Sequence, residues 1–212
     1  MPRARKVQSP IAPPVRASDL RMMVGDCTER LRHAEWLWRA PLEEKPTIMA
    51  VDIGSEGAWA VLSPTGEFRC GTILAERGGD ADGEWIDALC EGYNAIDELA
   101  HTDAEGRSLS LLVVEDVFMS KSPAVHASLA RLGGVAIGIG VAELALPAVR
   151  ISPTSWQSKM IGRVPREQGK AASLARARQE FGALITSDHV ADAALLAKWA
   201  WGFAGPTAHR RT

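Results

Sequence analysis

Two short apolar runs, each closed by an acid, constrain this chain more than any other feature. IMAVD ends in Asp52, and LSLLVVE ends in Glu115. A β-rich apolar run without polar alternation reads as a strand covered on both faces. An acid that closes such a run sets a charge against an apolar layer, and a charge there needs a partner.

The segments around these runs supply the remaining elements. GAWAVLS follows the first run after a tight Gly-Ser-Glu-Gly turn. PTGE makes the next turn, and EFRCGTIL is a third strand, so the three form an antiparallel meander. Glu84 to Ala100 has helical spacing, with Trp85, Leu89, Tyr93, Ile96 and Leu99 as its apolar positions. Pro123 to Leu144 reads as a long helix rich in Ala and Gly. Its glycines lower helix propensity and are expected to allow close packing on the sheet. PAVRIS is a fifth strand. Ser155 to Met160, Glu167 to Phe181 and Asp188 to Trp201 read as helices, the last offering Val190, Ala194, Leu195 and Ala197 for packing. The expected fold is α/β: a five-stranded mixed sheet, three antiparallel strands then two parallel, flanked by helices. The expected domain covers residues 46–205. Before it, residues 1–45 form an extension: a disordered start with four prolines and four basic residues in 1–18, then a helix over 19–40. Residues 206–212 form a tail.

Composition bounds location and partners. The N-terminus is basic and proline-rich with no apolar centre, unlike a secretory signal. No stretch reads as long and apolar enough to span a bilayer. The most apolar run, Val135 to Leu146, contains Glu143 and reads as a buried helix. Cys27, Cys70 and Cys90 are too widely spaced for a disulfide framework or a zinc site, which suits free thiols in the cytoplasm. The net charge of −2 hides an asymmetry. Ala75 to Asp116 holds twelve acidic and two basic residues, whereas Met119 to Arg178 holds nine basic and two acidic ones. A basic half can hold phosphates even when the whole chain is near neutral. A solvated surface of mixed sign is the alternative.

Four positions carry the chemistry. Asp52 and Glu115 end strands, while His189 and Asp192 sit three apart on the final helix, with Asp188 one turn before Asp192. Groups at i, i+3 or i+4 share a helix face. Adjacent parallel strands lie about 4.8 Å apart, so acids at their C-terminal ends can share a metal ion. Gathered carboxylates are costly to bury without cations. Mg²⁺ prefers oxygen ligands and keeps waters for a phosphate substrate, and Mn²⁺ is expected to substitute for it. Two such ions about 4 Å apart would activate water and stabilise a leaving 3′ oxygen. Plainer roles stay open for three residues. Asp52 before Ile-Gly-Ser can shape a turn. Asp188 can cap the helix after Thr186-Ser187. His189 alone can be a surface histidine. Asp192, inside VADAALLA, is hard to explain by packing.

The blocks VDIGSEGAWAV, VVEDVFMSKSPAVHASLARLGGVAIGIG and HVADAALLA, in that order, resemble RuvC-type Holliday-junction resolvases of the ribonuclease H-like superfamily. PTSWQSKMIG and REQGKAA are similar to the lysine-bearing segments of that family, and the resemblance spans about residues 47–203. It implies a metal-dependent endonuclease that resolves Holliday junctions or other branched DNA in recombination and repair, acting as a homodimer. It places Asp52, Glu115 and Asp192 at the metal-binding carboxylates. His189 falls where some relatives have histidine and others aspartate, with Asp188 as its rival. Phe118 matches an aromatic that contacts unstacked bases, and core packing is its other reading. Lys121, Lys159 and Lys170 match phosphate-contacting lysines. The chain departs from the family in reading Asp-Ile-Gly where Asp-Pro-Gly is usual, and in its N-terminal extension. A sugar-kinase or actin-like ATPase would share the fold core, but it needs two such domains. A RuvC-fold protein that grips structured DNA without cutting, and a ribonuclease H-like nuclease on another nucleic acid, remain open.

Overall fold

In the computed structural model the first apolar run is β1 (Thr47–Asp52), at the centre of a five-stranded sheet. The structure describes residues 45–54, 56–74, 81–102, 106, 109–116, 122–142 and 144–203. The expectations for residues 1–44 and 206–212, and for Phe118 and Lys121, fall outside that set.

β1 pairs antiparallel with β2 (Glu56–Leu62), which pairs antiparallel with β3 (Phe68–Leu74). On its other side β1 runs parallel to β4 (Ser110–Glu115), and β4 runs parallel to β5 (Ala148–Ile151). The order β3-β2-β1-β4-β5 is the expected mixed sheet of three antiparallel and two parallel strands. The helices are α1 (Ala81–Leu99), α2 (Pro123–Ala142), α3 (Pro153–Met160), α4 (Gly169–Phe181) and α5 (Asp188–Phe203). The helix expected from Glu167 starts later, at Gly169, after a 3₁₀ turn over Arg166–Gln168.

Strand side chains alternate between faces, so each central strand feeds two cores. Met49, Val51, Leu112 and Val114 join Trp85, Leu89, Tyr93 and Ile96 of α1 and Ala136 of α2 in one layer. Ile48, Ala50, Leu111 and Val113 join α5 and Trp156 of α3 in the other. This is why the strands read as unbroken apolar runs: neither face meets water.

Two sequence expectations about α2 need correction. Of its glycines, Gly140 does approach the sheet, where a Cβ would lie 2.7 Å from Leu112 Cδ2. Gly134 and Gly138 face open space instead. The Tyr93 hydroxyl donates to the Ala136 carbonyl and ties α1 to this helix. The second correction concerns membrane-spanning length. Pro123–Ala142, with mean hydropathy 1.5, does meet the length and composition of a spanning helix, and only 22% of its most apolar window is buried. The apolar turns that give this length begin before Val135, and the part from Val135, expected as a buried helix, is buried only at Ala136, Gly140 and Val141 within the helix.

Candidate active site

Strand parity decides where the two strand-ending acids point. Asp52 continues the series Ile48, Ala50, and Glu115 continues Leu111, Val113, so both belong to the face covered by α5. Val51 pairs with Val114 across the parallel β1–β4 ladder, and Asp52 and Glu115 are the next residues along. Two carboxyl groups are thereby brought side by side at the C-terminal edge of the sheet.

The turn after Asp52 is sterically fixed. A Cβ at Gly57 would lie 2.6 Å from the Asp52 carbonyl oxygen, so no larger residue fits there without a shift. The Trp85 indole N–H donates to the Gly54 carbonyl at 3.2 Å and ties the turn to α1.

α5 completes the cluster from the other side. It lies across β1 and β2, and the facing residues are small: Ala50, Ala58 and Ala60 on the strands, Ala191, Ala194 and Ala197 on the helix. Small residues on both sides let the helix come close, which delivers His189 and Asp192 to the strand ends. His189 Nδ1 lies 3.0 Å from Asp52 Oδ2. The Asp52 carboxylate therefore reaches across to α5, beyond the role of shaping its own turn. Glu115 Oε1 accepts a hydrogen bond from the Trp156 indole N–H at 2.9 Å.

The electrostatics follow from this crowding. Burial, then the neighbouring Asp52 carboxylate, pushes the Glu115 carboxyl well above the usual carboxylate range, and Trp156 partly opposes the shift. Burial pushes Asp192 up to about 6, with the nearby Ser173 hydroxyl opposing it. The hydrogen bond to Asp52 raises the His189 pKa. Among the described residues, Asp192 Oδ1 is buried without a hydrogen-bond partner. A buried carboxylate oxygen lacking a donor is satisfied by a proton, a water or a cation. The donor set of three carboxylates and an imidazole suits a divalent ion in charge and chemistry. Even so, no three His, Cys, Asp or Glu side chains among the described residues are gathered closely enough to form a ready-made metal site.

Asp188 borders this cluster, close enough to raise Asp192, but its carboxylate is turned to Lys170. Its Oδ2 lies 2.5 Å from Lys170 Nζ, and that contact holds its carboxyl below the usual range. It is not the helix cap either: the Ser187 hydroxyl accepts from the Val190 N–H at 3.2 Å, one residue earlier. Lys159 is exposed in the last turn of α3. Beside Asp192 a cleft of about 580 Å³ opens between α3 and α4, lined by Thr154, Gln157, Arg163, Lys170 and Ser173.

Trp156, Ser173 and Arg163 were not among the sequence candidates. A tryptophan amid polar neighbours in PTSWQSKM, just after a strand, was a usable signal for the first. Ser173 and Arg163 had none, since neither residue type is unusual on a helix or loop.

The sequence matches no protein-family profile, and no curated protein matches it. Among solved structures, the fold is similar to T. thermophilus RuvC in complex with a Holliday junction substrate. That match has a TM-score of 0.54 and 14% identity, and covers 76% of this chain and 99% of that one. A second Thermus thermophilus RuvC structure matches with a TM-score of 0.51 and 15% identity over the same shares of the two chains. The α/β sheet, its strand order and its helical layers are those of a RuvC-like, ribonuclease H-like fold.

Proposed function

We propose that this protein is a divalent-metal-dependent endonuclease that cuts branched DNA, with the four-way junction as its main substrate, in recombination and repair. The observation that carries the reading is Asp52 and Glu115 at neighbouring parallel strand ends, with His189 of α5 hydrogen-bonded to Asp52 and Asp192 of the same helix near enough to perturb Glu115. Asp52, Glu115 and Asp192 would hold Mg²⁺, or Mn²⁺ in its place, with Asp188 within reach of the same helix end. When bound, such ions would supply Lewis-acid activation of water and charge stabilisation for phosphodiester cleavage. His189 orients Asp52 through Nδ1, and the same hydrogen bond raises its pKa. Lys170 and Arg163 line the cleft beside Asp192 and suit a phosphate backbone. Lys159 and Lys121 extend that role, and Phe118 is proposed to stack on an unpaired base. Residues 46–205 make up the nuclease domain, acting in the cytoplasm.

Cleavage of a labelled four-way junction, beside linear duplex and with Mg²⁺ or chelator, tests this. Asp52→Asn or Glu115→Gln should abolish cleavage while junction binding persists. Unchanged cleavage in both variants would remove the site.

A homodimer belongs to the same proposal, with the apolar and largely uncovered face of α2 against a second copy. Val125, 49% exposed on that helix, provides the test. Val125→Glu should weaken self-association in sedimentation, and an unaltered dimer would move the interface elsewhere.

One observation favours a second reading, a RuvC-fold protein that binds structured DNA without cutting it: among the described residues the acids are not gathered into a ready-made metal site. Tight junction binding with no cleavage in either Mg²⁺ or Mn²⁺ would establish that reading.

A further inference from the structure

We infer that Trp156 is a positioning residue, whose indole N–H fixes the Glu115 carboxylate in the orientation needed to receive a divalent cation. The inference rests on the carboxylate cluster being a metal site.

The geometry begins in the sheet. Glu115 pairs with Ile151 across the β4–β5 ladder, and the Asp116 N–H continues the pairing to the Ile151 carbonyl at 2.8 Å. The chain then turns at Ser152 into α3, with Pro153 at the helix start, which fixes the backbone entering the helix. Trp156 lies in the opening turns of α3 and is fully buried in the core layer shared with α5. From there its Nε1 reaches Glu115 Oε1 at 2.9 Å.

Three physical points turn this contact into a role. First, glutamate has one more rotatable bond than aspartate, so holding its carboxylate at one point costs more entropy unless something restrains it. Second, indole only donates. It occupies one lone pair of Oε1 without adding charge, and the Asp52 carboxyl, which also contacts Glu115, would share the cation with it. A lysine or arginine in its place would neutralise Glu115 and compete with that cation, whereas a neutral donor orients without competing. Third, packing alone does not explain the N–H. Among the described residues, the buried Nε1 atoms of Trp59 and Trp201 have no hydrogen-bond partner, so this fold leaves indole donors unmatched elsewhere. At Trp156 the donor meets a carboxylate of the cluster.

The test is Mn²⁺ binding by titration calorimetry on the full chain. The variants are Trp156→Phe and a site-specific replacement of Trp156 by benzothienylalanine, which keeps the ring shape and puts sulfur in place of N–H. Both should bind Mn²⁺ about tenfold more weakly than the parent, as is usual for loss of a group that orients a metal ligand. The sulfur variant should keep the native fold by circular dichroism, with Tm lowered only by the one lost hydrogen bond. In a Glu115→Gln background the same replacement should make no further difference, whereas a purely structural role would not depend on Glu115. Equal Mn²⁺ affinity in the parent and the sulfur variant overturns the role of Trp156 and leaves the metal site standing. A parent chain that takes up no Mn²⁺, or takes it up unchanged in Asp52→Asn, overturns both.

Discussion

His189 and Asp188 are neighbours in sequence but do different things. His189 Nδ1 is hydrogen-bonded to Asp52, while Asp188 is turned to Lys170. The sequence left these two as rivals because both fit the helical spacing to Asp192. The side-chain directions separate them, and no spacing rule contains those directions. If His189 moves a proton at the cluster, His189→Ala should lower the cleavage rate about 10²-fold or more. Asp188→Ala removes an exposed ion pair, and such pairs contribute about 0–1 kcal/mol. It should therefore leave cleavage within a few-fold of the parent. Single-turnover rates on a four-way junction compare the two, and a larger loss in the Asp188 variant would reverse their roles.

At the scale of elements, the distance between α5 and the sheet sets the site. Ala194 is fully buried in the layer where this helix meets the alanines of β1 and β2. Ala194→Leu adds three carbons where there is no room, and overpacking of this kind costs about 1–3 kcal/mol. It should lift α5, separate His189 from Asp52, and reduce kcat more than junction affinity. A wild-type kcat with a lowered Tm would show that the helix seat and the site are not coupled. The strands were legible because burial on both faces wrote itself as unbroken apolar runs, and the acids closing them marked the C-terminal ends of β1 and β4. Parity then told which face Asp52 and Glu115 share, although that follows only once the register of β1 against β4 is known. The glycines of α2 misled because composition cannot say which of them face the sheet: Gly140 does, while Gly134 and Gly138 do not. Trp156 was missed for a similar reason. Its hydrogen bond spans 41 residues of sequence and depends on how α3 leaves β5.

Over the whole molecule, charge is sorted by layer. The acidic α1 covers one face of the sheet, while basic α4 and the cleft with Arg163 and Lys170 lie with α5 on the face that holds the carboxylates. A net charge of −2 thus says little about either face. The carboxylate cluster also links stability to pH. Glu115, Asp192 and His189 all hold protons more tightly in the folded chain than their ordinary values imply. Groups of this kind favour the folded state while protonated, and that advantage is lost as pH rises through their folded pKa values, the Asp192 value being about 6. Asp188 is shifted down and acts with the opposite sign, but only below about pH 4, where its carboxyl titrates. The Tm of the metal-free protein should therefore fall between about pH 5.5 and pH 8, and Glu115→Gln should flatten the fall. Divalent ions compete with the same protons, so Mn²⁺ should raise Tm more at the higher pH. Scanning calorimetry in chelator and in Mn²⁺ at the two pH values measures both effects. A Glu115→Gln variant with the same pH slope as the parent, and no Mn²⁺ shift at either pH, would mean that the carboxylates do not act as one cluster.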